Sequence, residues 1–179
     1  MAHVILGLLL LRPASLYDLV KQFEASVSLF YSASSGSIRR ALETLLTRGL
    51  IEVDEVEAGA RGRKTYRVTA AGDAEFRAWM HGPVTGPDAE GAALPRLFFL
   101  GLLDPAERDE VLARLTARVA QDVARLEALD AQLDAQQVPD ELRDVFTYQR
   151  ATLDYGLASG RFALDWFRRY AADHEAAGA

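Results

Sequence analysis

The 179-residue sequence predicts a mainly α fold carrying one small β-hairpin. Three observations point there. Three helix-like segments precede two short strand-like ones in the first half, and a single Gly/Pro-rich break stands at 82–87. Beyond it, two helical patterns each run for about 30 residues, well above the mean globular helix of ~11–12.

The run Met1–Leu11 is apolar nearly throughout and reads as a buried helix. It stops at Arg12-Pro13, because proline disfavours the α region for the residue before it. Ser15 with Asp18 three positions on forms a capping box, Asp replacing the usual Glu, ahead of Leu19, Val20 and Phe23. Serine-rich 26–35 breaks this second helix. A third is expected over Gly36–Arg48, capped by Ser34 or Ser35 and stopped by Gly49. Leu50–Glu57 and Lys64–Thr69 have strand character, and the small-residue connector between them suits a protruding hairpin. A short helix from Gly72 to His81 closes this half. Helix, helix, helix, hairpin is the order of a winged helix-turn-helix.

Past the break, Leu94–Leu103 reads as a short apolar helix. Asp104-Pro105-Ala106-Glu107 supplies a cap, a proline at the first helical position and an acid at the third, opening a helix expected to reach Gln137. Pro139 restarts another, to Ala172. The predicted organisation is a winged helix-turn-helix over 1–82, a linker over 83–92 and a long-helix domain over 93–179.

Composition excludes several functions. The absence of cysteine removes disulfides, thiol nucleophiles and thiolate metal sites. His3, His81 and His174 stand far apart, in no metal-ligand spacing. There is no Gly-rich phosphate cradle, paired-histidine helix or nucleophile elbow. No catalytic residue, metal or cofactor is expected, and the chain reads as a non-enzyme. Its longest apolar stretch, Val4–Leu11, is about a third of a membrane span. With no secretory leader pattern, a cytoplasmic protein without membrane contact is expected.

Charge is unevenly placed. Residues 1–85 hold ten Lys/Arg and nine Asp/Glu, net +1; residues 86–179 hold ten and seventeen, net −7. In the third helix, a 100° step per residue puts Ile38, Leu42, Leu45 and Leu46 on one face. Arg40 and Thr47 then point away, with Gly36, Ser37 and Thr44 beside them and Arg39 on the shoulder. An outward arginine near a helix start, among small residues, suits reading of a major groove, where guanidinium pairs bidentately with guanine. A solvated surface helix competes with this reading. Arg61, Arg63 and Lys64 at the hairpin tip tip the balance, because a basic wing beside that helix makes two contacts to a duplex backbone. The candidate DNA-binding residues are therefore Ser35, Ser37, Arg39, Arg40, Thr44, Arg61, Arg63 and Lys64.

The first long helix repeats apolar residues at Leu112, Leu115, Val119, Val123, Leu126, Leu129 and Leu133, close to a heptad seam. The last helix is apolar over more than one stripe. Two such helices packed together still leave an apolar face each, and a second copy of the chain is the economical cover. A homodimer would present two reading helices to a dyad-symmetric site on double-stranded DNA.

Ile5-Leu6-Gly7-Leu8-Leu9, Pro13 through Leu19, Phe23 through Ser28, Arg48-Gly49-Leu50-Ile51, Gly62 through Gly72 and Ala78-Trp79 together resemble the DNA-binding half of bacterial PadR-type transcriptional regulators. Leu97 through Gly101 with Asp104 through Glu107 resembles the start of that family's C-terminal dimerisation domain. The resemblance implies a homodimeric winged-helix repressor, released from its operator by a small aromatic or amphipathic effector. It departs from the family at Leu16, commonly Gly, and at Ser37-Ile38-Arg39-Arg40, commonly Gln-Ile-Tyr-Pro. Arg39 would take the family tyrosine's backbone contact, while Arg40 inherits no role. Phe98, Phe99, Phe146 and Trp166 are the candidate effector contacts, with plain core packing the competing reading. The alternative function is a ligand-sensing or protein-interaction module with weak or no DNA binding.

Overall fold

The structure, a computed structural model, describes residues 1–56, 62–86 and 88–178. It resolves into two compact units, each discontinuous in sequence. One comprises Met1–Pro83 with Gly91–Pro105, and the other Val84–Glu90 with Ala106–Ala179.

The first unit begins with α1 (Ala2–Leu11), in which Val4 through Leu9 are all buried, so this helix has no solvent stripe. Gly7 is required there: a Cβ on it would stand 2.7 Å from the ring of Phe99. Strand β1 (Ala14–Ser15) leads directly into α2 (Leu16–Ala25). The capping box is present, with Ser15 Oγ accepting from the Asp18 N–H at 3.3 Å and the Asp18 carboxylate accepting from the Ser15 N–H at 2.9 Å. A 3₁₀ turn at Val27–Leu29 separates α2 from α3 (Ser35–Thr47), whose Ile38, Leu42 and Leu45 are buried. Strands β2 (Ile51–Val56) and β3 (Lys64–Val68) follow, then α4 (Ala70–His81), capped by Thr69. The helix-helix-helix-hairpin order read from the sequence is therefore present.

The sheet has three strands, in the order β1-β3-β2, all antiparallel. The third strand is β1, which the sequence reading missed because two residues carry no period. It matters to the site, since pairing of Ala14 with Tyr66 and Ser15 with Thr65 ties the hairpin to the start of α2.

Helix α5 (Ala89–Phe98) begins five residues before the expected Leu94, and Leu100–Leu102 is a 3₁₀ turn. Pro95 lies inside the helix. In the second unit, α6 (Pro105–Asp134) and α7 (Arg143–Gly178) run antiparallel. Arg150 pairs with Asp130 at 2.6 Å, Arg161 with Glu127 at 2.8 Å, and His174 with Asp109 at 3.1 Å, so sequence position rises on one helix as it falls on the other. The predicted seam is buried at Leu112, Leu115, Val119 and Val123, and reaches the surface at Leu129. Among the described residues, no helix is long and apolar enough to cross a membrane, and no cluster of His, Asp or Glu could hold a metal ion.

Candidate nucleic-acid interface

The outward face of α3 carries Arg39, Arg40 and Thr44, all exposed, opposite the buried Ile38, Leu42 and Leu45. Its first turn is fixed by serine. Ser34 Oγ accepts from the Ser37 N–H at 3.2 Å, and Ser37 Oγ donates to the Ser34 carbonyl at 2.7 Å. Ser37 is thus half-buried and its proton is directed to the backbone, whereas Ser35 is exposed. Thr44 donates to the Arg40 carbonyl at 2.9 Å, leaving its oxygen as an acceptor. Arg40 extends back toward the helix start, its Nη1 lying 3.9 Å from where a Cβ on Gly36 would stand. That direction is normal for long helical side chains, and Gly36 keeps the space open.

The wing divides its cations sharply. Arg67 on β3 is held by Glu52 at 2.6 Å and Asp54 at 3.3 Å. A register shift between Val53 and Glu55 lets two acids of β2 reach this one arginine. Lys64 is exposed at the start of β3. Arg63, a candidate DNA contact, donates from Nη2 to both carboxylate oxygens of Asp18, at 2.8 and 2.7 Å. Arg61 lies outside the described residues.

Asp18 is held well below the ordinary aspartate range, at about 2. Donation from the Ser15 hydroxyl at 2.7 Å is the largest cause and the Ser15 N–H the next; burial opposes them, and the hydrogen bond and charge of Arg63 each add a smaller lowering. The carboxylate is therefore charged throughout the physiological range.

Five of the unit's cations are engaged by acids: Lys21 by Glu24, Arg48 by Glu75, Arg63 by Asp18, Arg67 by Glu52 and Asp54, and Arg77 by Asp73. Arg39, Arg40, Lys64 and Arg12, the last at the end of α1, form no ion pair with any described residue. A groove of 710 Å³ brings Ser35, Arg39, Arg63 and Lys64 together with Leu16, Tyr17, Val20 and Tyr66. Tyr17 was not singled out by sequence reasoning. It is 64% exposed, with the Lys21 ammonium 5.9 Å from its ring centroid. A large aromatic on the polar face of an amphipathic helix is the signal that could have found it.

The four effector candidates divide between the two units. Phe98 and Phe99 touch edge to face, with centroids 4.9 Å apart. Phe99 is fully buried against Phe76, while Phe98 is partly exposed beside Phe30. Phe146 and Trp166 both lie on α7, 20 residues and hence about 30 Å apart. One cavity in a single chain cannot hold both.

A capped, outward-facing cationic helix beside a β-ribbon with a basic root defines a winged helix-turn-helix DNA-binding protein, here joined to a unit of two long helices. Residues 5–78 match the model of the transcriptional regulator PadR-like family, and residues 92–175 match the virulence activator alpha C-term family. The chain thus joins a PadR-like transcriptional-regulator domain to a virulence activator alpha C-terminal domain.

Among individual proteins, the "Probable transcriptional regulator Rv1176c" of Mycobacterium tuberculosis is 24% identical over 92% of each chain. Bacillus subtilis PadR in complex with operator DNA is 21% identical, with 97% of this chain and 98% of that one covered at a TM-score of 0.44. The same protein in complex with p-coumaric acid is 22% identical, with 97% of both chains covered at 0.42. The Vibrio cholerae virulence activator AphA is 25% identical, with 98% of both chains covered at 0.40.

Proposed function

We propose that this regulator is a homodimeric repressor that reads a dyad-symmetric operator through α3 and leaves it on binding a small aromatic or amphipathic molecule. It acts by binding rather than by catalysis, in the cytoplasm. The observation that carries the DNA-binding part is the sorting of cations: five are neutralised locally, while Arg39, Arg40 and Lys64 remain available on α3 and the wing root. Arg40, with Thr44 and Ser37 beside it, faces base edges; Arg39, Lys64, Ser35 and Arg61 serve the phosphates. Among the effector candidates, Phe98 of the first unit and Phe146 and Trp166 of the second keep surface that a ligand could reach, whereas Phe99 is fully buried.

The second copy is supported by α7. Tyr148, Tyr155 and Phe162 are 76%, 77% and 68% exposed and stand seven residues apart, on one stripe of the helix. One heptad beyond Phe162 the stripe reaches Arg169, paired with Asp165 at 3.0 Å, and one heptad before Tyr148 falls Glu141, in the 3₁₀ turn Asp140–Leu142 that leads into α7; both are exposed. The series acid, aromatic, aromatic, aromatic, base is complementary to itself only when reversed. Antiparallel pairing about Tyr155 sets Glu141 opposite Arg169 and Tyr148 opposite Phe162, whereas parallel pairing sets like charges together.

The test is selection of binding sites from a random duplex pool by the full chain, followed by affinity measurement across salt concentrations. Enrichment of an inverted repeat with steeply salt-dependent binding is expected. Failure to enrich any sequence at low salt would overturn the reading.

A further inference from the structure

The pair between Arg63 and Asp18 joins segments 45 residues apart and lies where the hairpin meets α2. Two constraints meet at that point. Ser15 pairs with Thr65 in the sheet while its N–H and hydroxyl both donate to Asp18. The same carboxylate then receives Arg63, one residue before Lys64. A single side chain therefore fixes the cap of α2, the edge of β1 and the root of the wing. The groove bounded by these elements carries Arg39 and Lys64, and the apolar Leu16, Tyr17, Val20 and Tyr66 between them suit the sugar faces of a nucleic-acid backbone.

We propose that Arg63 is a positioning residue rather than a phosphate ligand: clamped on Asp18, it holds the wing root at the distance from α2 that lets Lys64 and Arg39 receive one DNA strand in the groove between them. This rests on the DNA-binding reading above. The two roles make opposite predictions for Asp18. If Arg63 were a phosphate ligand, Asp18 would compete for it, and neutralising the carboxylate would strengthen binding. As a clamp, the pair loses its function when either member is removed.

The test uses the full chain and its selected operator, with anisotropy titrations from about 50 to 200 mM salt, where each phosphate contact contributes about 0.9 to the slope of log K against log salt. Asp18→Asn, Arg63→Gln and their double variant are each expected to weaken binding to the same extent. Each should lower the slope by about 0.9 as Lys64 leaves its phosphate. Arg63→Gln leaves the Ser15–Asp18 capping box intact, so it carries the test even where Asp18→Asn lowers the unfolding temperature. Adding Lys64→Gln to Arg63→Gln is then expected to leave the slope where it is, whereas independent phosphate ligands would lose about 0.9 each. Tighter binding by Asp18→Asn, or additive slope losses for Arg63 and Lys64, would overturn the clamp while leaving DNA binding in place. A wild-type chain without salt-dependent binding would overturn both.

Discussion

Replacing Tyr155 by cysteine tests the antiparallel pairing of α7 directly, because the chain has no other cysteine. Helices in contact lie about 8–10 Å apart between axes, and their Cα atoms sit about 2.3 Å off each axis. Facing Cα atoms at the two-fold are then about 3.4–5.4 Å apart, overlapping the ~4.4–6.8 Å range a disulfide bridges. A residue displaced from the axis meets a different residue of the partner. Tyr148 and Phe162 each lie seven positions from Tyr155, so each would be about 21 Å from its own copy, three times the ~7 Å limit. Under mild oxidation, Tyr155→Cys is expected to run as a covalent dimer on non-reducing gels. Tyr148→Cys and Phe162→Cys alone should remain monomeric, while their mixture crosslinks. Self-crosslinking of Tyr148→Cys, or no crosslinking of Tyr155→Cys in a particle that sediments as a dimer, would refute the register. Sedimentation as a monomer at micromolar concentration would refute the dimer itself.

Three other outcomes follow from the geometry. Arg40→Ala is expected to cost about 1–3 kcal/mol at one base pair of the operator and to relax preference there, measured with singly substituted duplexes; an equal loss on every sequence would assign Arg40 to the backbone. Gly72→Ala places a Cβ 2.0 Å from the Leu50 carbonyl oxygen and 2.8 Å from Val68 Cγ1. Backbone cannot yield as a side chain does, so a loss of about 1–3 kcal/mol or more is expected in thermal unfolding, whereas Gly36→Ala, with nothing nearer than 3.9 Å, should not lower stability. Asp18 has a folded pKa of about 2, below its unfolded value, so its stabilising contribution is complete above the unfolded pKa and is lost as pH falls from about 4 to about 2. Urea midpoints measured across that window should drop more steeply for the wild type than for Asp18→Asn.

Much of the fold was legible because its elements carry local signals. The Ser15–Asp18 box, the outward turn of Arg40 and Thr44, and the cap at Ser34 each follow from one residue type at one spacing. What stayed hidden depends on partners distant in sequence. Arg63 reads as a wing cation until the chain brings Asp18 to it across 45 positions. Strand β1 exists only because Tyr66 and Thr65 are there to pair with it. The aromatic set divides for a related reason: Phe146 and Trp166 share a helix, but 20 residues of α7 stand between them. On that helix the informative pattern was a different one, the seven-residue recurrence of Tyr148, Tyr155 and Phe162 on the face turned from α6.

A chain with net charge −6 is an unpromising ligand for a polyanion if charge is summed over the molecule. Binding responds to the local field, and that field is shaped by which cations are neutralised in place. The acidic strand β2 takes up Arg67, Asp18 takes up Arg63, and Glu75 takes up Arg48. Each pairing is worth little to stability at a surface, so stability is a weak reason for their arrangement. Their effect on recognition is larger: they cancel positive charge around the edges of the unit and leave it on α3 and the wing root. A duplex approaching this surface meets a few cations on rigid elements instead of a diffuse basic patch. That limits nonspecific affinity and makes discrimination depend on the placement of Arg39, Arg40 and Lys64.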